Sequence, residues 1–153
     1  MTRTYDAVAA GARDLASAVN ALRARGLRLS AARRLLLEAL YCAAGPITAE
    51  EIAAGVDGRL PPSDQASVYR NLERLEELGL VHHVHLGHGP GRYLPTGLEA
   101  DFLVCDRCGD FTAVDGVALE AARRAVRTAT GYAARFSHFP VVGTCPTCLA
   151  EHV

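Results

Sequence analysis

Ser63-Asp-Gln-Ala-Ser67-Val-Tyr-Arg70-Asn-Leu72-Glu-Arg-Leu75-Glu-Glu-Leu78-Gly79 is followed at once by Leu80-Val-His-His-Val-His-Leu86 and the turn Gly87-His-Gly-Pro-Gly91. Val68, Leu72, Leu75 and Leu78 recur at spacings of four, three and three, so they share one face of a helix predicted over 64–78, capped by Ser63. Ala66, Ser67, Arg70 and Arg74 take the opposite face, and Gly79 stands where helices pass into the left-handed region. The period then changes. Leu80–Leu86 has a short strand pattern, the glycine-rich turn reverses the chain, and Arg92-Tyr-Leu94 returns as a second strand.

Upstream, Val8, Leu15, Val19 and Leu22 give helical spacing across 7–25, ended by Gly26. Ser30 caps a second helix with Leu35, Leu36, Leu37, Leu40 and Tyr41 on its buried face, stopped by Gly45-Pro46. Cys42, in the same helix, is expected in the core. Thr48-Ala-Glu-Glu51 has the capping-box spacing and starts a short third helix that stops near Gly55. Successive helices and then a hairpin describe a winged helix-turn-helix, assigned to 1–95, with Pro95-Thr-Gly97 as a hinge.

The remainder, 96–153, reads as strand (Phe102–Val104), C-x-x-C, strand (Phe111–Val114), helix (about 117–129), strand (Tyr132–Ser137), short strand (Val141–Gly143) and C-x-x-C. The class is therefore α+β, a winged domain followed by a small α/β unit. That second unit is small enough for a metal and a partner subunit both to aid its stability.

Half of the 153 residues are apolar and 22% are charged, which suits folded cores rather than disorder. No apolar run reaches the ~20 residues of a membrane helix. The first residues lack the apolar segment and cleavage site of a secretory signal, so a cytoplasmic protein is expected. The net charge of −1 conceals an uneven distribution. Six arginines and a single acid, Asp14, fall between Arg13 and Arg34, whereas Glu99, Asp101, Asp106, Asp110, Asp115 and Glu120 lie further on. A basic surface is expected near the front.

Cys105-Asp-Arg-Cys108 and Cys145-Pro-Thr-Cys148 each carry the spacing that chelates one metal, and together they complete an all-sulfur tetrahedral set, the preferred environment of structural Zn²⁺. Redox-active pairs are the rival reading, countered by the expectation that no helix follows Cys145-Pro-Thr-Cys148 to lower a thiol pKa. On the helix over 64–78, exposed Arg70 and Arg74 suit a major groove, with Tyr69 packing on a thymine methyl or bonding a phosphate. A solvated face is the alternative, and Glu73, Glu76 and Glu77 restrict any groove contact to the N-terminal half.

His82, His83, His85 and His88 place four imidazoles within seven residues beside the hinge. Strand alternation puts His83 and His85 on one face and His82 on the other. Glu99, Asp101, Glu120 and His138 would add a second divalent-metal site if the fold gathers them; otherwise they are solvent-facing acids and a surface histidine.

Gly26-Leu-Arg28-Leu-Ser30-x-x-Arg33, Thr48-Ala-Glu-Glu51, Ser67-Val-Tyr-Arg70-x-Leu72-x-x-Leu75-x-x-x-Gly79-Leu80-Val81, Phe102-Leu-Val-Cys105-x-x-Cys108-Gly109 and His138…Gly143-x-Cys145-x-x-Cys148 resemble, in order and interval, the ferric-uptake-regulator superfamily. The resemblance implies a homodimeric repressor, not an enzyme, that binds double-stranded operator DNA when its sensory metal is loaded. It places Ser67, Tyr69, Arg70, Arg28 and Arg33 on the DNA. Leu80-Val-His82 and the motif around Cys105 look most like the zinc-uptake branch, in several members of which a histidine at the position of His82 is a ligand. The histidine run that most members carry before the first C-x-x-C is replaced here by Gly97-Leu-Glu-Ala-Asp-Phe102. The histidines of 82–88 are expected to compensate, with Glu99 or Asp101 adding an anionic ligand. The expected sensory set is thus His82 and Glu99, then His85, His88 and Asp101, with Glu120 and His138 as a subsidiary pair.

Zinc is the favoured effector, and the structural metal is a separate Zn²⁺. A peroxide-sensing or iron-, manganese- or nickel-responsive member is the alternative within the superfamily. From another class comes a zinc-stapled protein-interaction module without DNA binding. No nucleophile, base and orienting group occur together in a motif, which sets an enzyme last.

Overall fold

The computed structural model of the chain describes residues 14–97, 100–136 and 138–151. Among them no helix is long and apolar enough to cross a membrane. The chain divides into two compact units, one of Ala9–His83 with Gly91–Glu99 and the other containing Val84–Pro90 and Ala100–Val153. The tip of the hairpin expected within the winged domain thus groups with the C-terminal residues rather than with the strands that carry it.

In the first unit, α1 (Leu15–Ala24) starts at Asp14, whose carboxylate accepts from the Ser17 N–H at 2.7 Å. The part of the expected first helix before Asp14, including Val8, lies outside the described residues. Ser30 caps α2 (Ala31–Cys42), accepting from the Arg33 N–H at 3.3 Å. Leu36, Leu37, Ala39 and Leu40 are buried from this helix, but Cys42 is exposed. Two positions beyond Leu40 is a turn of roughly 200° around the axis, which carries Cys42 away from the core.

The strand β1 (Ile47–Thr48) is too short to have been read from a period. Its second residue opens α3 (Ala49–Ala53) with a complete capping box: Thr48 Oγ1 accepts from the Glu51 N–H at 3.1 Å and the Glu51 carboxylate accepts from the Thr48 N–H at 2.9 Å. Gly55 then turns the chain at φ +87°, where an added Cβ would lie 2.0 Å from the Leu60 carbonyl oxygen, so only glycine fits. The helix α4 (Gln65–Glu77) is capped by Asp64 rather than Ser63; its carboxylate accepts from the Ser67 N–H at 2.8 Å and meets the positive end of the helix dipole.

The strands β2 (Val81–Val84) and β3 (Arg92–Pro95) complete a sheet in the order β1-β3-β2, with Ile47 opposite Tyr93 and Thr48 opposite Arg92. Val68, Leu72 and Leu75 of α4 join Leu22 of α1, Leu36, Leu37 and Leu40 of α2 and Ile52 of α3 in one apolar cluster. Leu22, Leu72 and Leu75 have no exposed surface.

In the second unit, β4 (Asp101–Cys105) is central, antiparallel to β5 (Phe111–Val114) and parallel to β6 (Val141–Gly143). The connection carries α5 (Glu120–Thr130), which buries none of its residues. The strand expected over Tyr132–Ser137 does not form across 132–136. Phe136 instead lies under the Arg123 guanidinium, 5.3 Å from ring centroid to guanidinium carbon. A helix that the sequence reading lacked, α6 (Pro146–Ala150), begins directly after Cys145, with Pro146 supplying a preset φ at its first position.

Candidate metal centres and DNA-reading face

Cys105 ends β4, and a tight turn follows in which the Cys105 N–H donates to the Asp110 carbonyl at 2.8 Å while its own carbonyl accepts from the Gly109 N–H at 3.0 Å. This turn carries Cys108. The second pair comes from the start of α6, with Cys145 as its N-cap and Cys148 in its first turn. The parallel register sets Cys105 opposite Gly143, and the Asp106 N–H donates to the Gly143 carbonyl at 2.9 Å, so the two cysteine segments are held side by side.

All four sulfurs lie within 4.8 Å of one another. A tetrahedron of thiolates ~2.3 Å from Zn²⁺ has edges of about 3.8 Å, and the Cys108 and Cys145 sulfurs are 3.8 Å apart. That distance is also far beyond the ~2.05 Å of a disulfide. Backbone N–H groups of Cys108 and Cys145 directed at the Cys105 sulfur pull its pKa down to about 6. Hydrogen bonding with Cys145, and then burial, push Cys148 up to about 12. A cation at the centre of such a cluster is what allows all four sulfurs to be thiolates. The helix behind Cys145 removes the argument that no helix could acidify this pair, but convergence of four sulfurs fits a metal set better than two separate dithiols.

The histidines are divided between the two units. His83, in β2, brings Nδ1 within 2.5 Å of the Glu76 carboxylate at the end of α4, and its ring tilts against Tyr93 at 5.9 Å. Both ring nitrogens of His82 are buried, and His88 is exposed. In the second unit the His85 N–H donates to the His138 carbonyl at 3.4 Å. The two rings are 5.6 Å apart, and each offers a nitrogen within 4.8 Å of the other's. Phe139 packs against both, nearly parallel to His85 and edge-on to His138.

Asp101 is buried at 6% exposure and forms an ion pair with Arg123, whose guanidinium also donates to the Gly116 carbonyl at 2.8 Å. Glu120 lies 4.0 Å from the same guanidinium. The cation facing these two carboxylates is therefore an arginine. Glu99 lies outside the described residues.

On α4, Tyr69 and Arg70 are exposed, Ser67 is half-buried, and Arg74 pairs with Glu77 at 2.6 Å. Arg28 is exposed, and Arg33 donates to its carbonyl at 2.8 Å. Two side chains absent from the sequence reading join this face. Glu50 of α3 accepts from the Tyr69 hydroxyl at 2.7 Å, and Gln65 donates to the same carboxylate oxygen at 3.1 Å. Glu51 is identifiable from the capping box, but no local period links Glu50 to a tyrosine nineteen positions away.

The sequence profile of the ferric uptake regulator family matches residues 24–138. The chain belongs to that family. Ferric uptake regulator family proteins are transcription regulators that respond to metals, and this chain is one of them rather than an enzyme. It is 26% identical over 137 residues to the peroxide operon regulator of Bacillus subtilis, covering 90% of this chain and 94% of that one. The ferric uptake regulator of Helicobacter pylori shares the fold at a TM-score of 0.70 and 20% identity, covering 92% of this chain and 97% of that chain. The Vibrio cholerae regulator does so at 0.64 and 24%, covering 82% and 98%.

Proposed function

We propose that the chain is a metal-dependent repressor that binds operator DNA as a homodimer, holds one structural Zn²⁺ on Cys105, Cys108, Cys145 and Cys148, and senses a second divalent ion, zinc by preference, through the histidines of the hairpin. The observation that carries this reading is the convergence of four cysteine sulfurs, all within 4.8 Å of one another, in a chain of the ferric uptake regulator family. In the winged unit His83 holds the Glu76 carboxylate of α4 at 2.5 Å, the kind of contact that metal-binding histidines characteristically make through their second ring N–H.

The sensory ligand set we favour is built on His85 and His138, whose ring nitrogens approach within 4.8 Å. Imidazole nitrogens suit Zn²⁺. Asp101 and Glu120 are left out, because Arg123 already compensates their charge; Glu99 remains the candidate anionic ligand. Tyr69, Arg70 and Ser67 on α4 would face bases and adjoining phosphates, with Arg28 and Arg33 on the backbone. Dimerisation is supported by the exposed Val117, Tyr132, Phe139, Val142 and Leu149 of the second unit, apolar surface that a second copy would cover.

The 26% identity to a peroxide operon regulator supports a second reading, in which Fe²⁺ occupies the same histidines and peroxide oxidises one of them. One experiment separates the two. Duplexes are selected from a randomised library by the zinc-loaded protein and by the Fe²⁺- or Mn²⁺-loaded protein, and binding is then measured before and after peroxide. The zinc reading expects Zn²⁺ alone to support binding, with peroxide leaving the histidines unmodified. Binding with Fe²⁺ that peroxide abolishes, together with one added oxygen on His85 or His138 by mass spectrometry, replaces it with the peroxide reading.

A further inference from the structure

Tyr69 stands one turn into α4 and is 41% exposed, but its hydroxyl does not point freely into solvent. It lies 2.7 Å from Glu50 Oε1, and Gln65 Nε2 reaches the same oxygen at 3.1 Å. Glu50 is in the first turn of α3, where the positive end of the helix favours the ionised carboxylate. The hydrogen bond lowers the Glu50 pKa and raises that of Tyr69, so at neutral pH the proton stays on the phenol.

A carboxylate only accepts, and a phenol has one proton to give. With that proton directed at Glu50, the remaining lone pairs of the Tyr69 oxygen can only accept. The hydroxyl therefore has no donor for a phosphate, and the Glu50 charge beside it repels one. In the major groove the groups that donate are the exocyclic amines, N6 of adenine and N4 of cytosine.

We propose that Glu50, oriented by Gln65, is a specificity-determining positioning residue: it holds the single proton of Tyr69, so that α4 presents the tyrosine as an acceptor for a base amino group and not as a donor to phosphate. This rests on the DNA-binding reading above. Glu50 acts through Tyr69 and touches no base itself.

The test uses the zinc-loaded full chain and a duplex that it selects from a randomised library. In that duplex each adenine or cytosine is replaced, one at a time, by an analogue without the exocyclic amine. Wild type should lose about two- to tenfold in affinity at one position, the range of a single hydrogen bond. Tyr69→Phe should show a similar loss on the unmodified duplex and become indifferent to the analogue there. Glu50→Ala should also lose the discrimination, whereas Glu50→Gln, whose amide oxygen still accepts from the phenol, should keep it while binding unselected duplex more tightly because a negative charge is gone. Thermal melting of the three variants should stay within a few degrees of wild type, since all three changes are on exposed side chains and remove only a surface charge or hydrogen bond. Equal wild-type affinity for every analogue overturns the proposal, as does discrimination that survives in Glu50→Ala. If wild type selects no sequence in any metal, the DNA-binding reading fails and this proposal falls with it; selection by wild type with no effect of Tyr69→Phe removes this proposal alone.

Discussion

Among the described residues, fifteen buried apolar side chains drawn from α1 to β2 make one continuous cluster in the winged unit, whereas the unit built on β4, β5 and β6 buries Val84, Ala100, Phe102 and Val104 beside two of its cysteines. In the first, α1, α2 and α4 contribute leucines and α3 adds Ala49 and Ile52. In the second, the longest helix, α5, buries nothing, while Val117, Tyr132, Phe139, Val142 and Leu149 stay exposed. Burial stabilises in rough proportion to apolar area removed from water, so the winged unit can hold itself together and the cysteine unit is short of that source. A metal on the four-sulfur cluster and, in the reading proposed above, a second subunit over the exposed apolar residues would supply what burial does not.

The strongest way to break this contrast is to remove the metal. Apparent binding energies of structural Zn²⁺ are about 10–16 kcal/mol, more than a sparsely buried unit can replace. Chelation, or Cys148→Ser, should therefore abolish hydrogen-exchange protection across β4, β5 and β6 while the helices of the winged unit keep theirs. Unchanged protection in both units would show that the second has a sufficient core without metal.

Next in size is Arg123→Ala, which leaves the buried Asp101 carboxylate without its cation. Removing one partner of a buried pair costs about 3–5 kcal/mol, and denaturant unfolding of the zinc-loaded protein should register most of it. Adding Asp101→Asn to the same chain should recover part of the loss, because no charge is then stranded. Should Arg123→Ala cost nothing, the pair is not what orders this end of β4.

Leu72→Ala sharpens the other side of the comparison. Leu72 is wholly buried, and truncating such a leucine costs about 2–5 kcal/mol. The effect should appear in the unfolding of the winged unit and leave zinc content unchanged. Val142→Asp should be smaller in stability and visible in assembly. Placed on an exposed residue of edge strand β6, it should shift sedimentation from dimer toward monomer with the zinc retained, and an unaltered dimer would move the subunit contact elsewhere.

Much of the winged unit was legible because its signals are local. The spacing of Val68, Leu72 and Leu75, the Thr48–Glu51 box and the turn after Leu86 each work within a few residues. The cysteine pairs were legible for the same reason. What escaped depends on residues distant in sequence. The pairings of Tyr69 with Glu50 and of Asp101 with Arg123 exist only once α3 meets α4 and α5 meets β4. The strand β1 is two residues long, too short for alternation to register, and α6 is a single turn set by a proline after a capping cysteine. The apolar residues of 132–136 read as a strand, but Phe136 finds a guanidinium instead of a ladder partner.

Metal-dependent DNA binding is tested most directly by a titration of the selected duplex with the full chain at fixed free Zn²⁺ concentrations, run for wild type and for His85→Ala. Wild type should pass from weak to tight binding as free Zn²⁺ rises. His85→Ala should retain the four-cysteine zinc and fail to make that transition. Binding by wild type that is independent of metal, or a normal zinc response in His85→Ala, would contradict it.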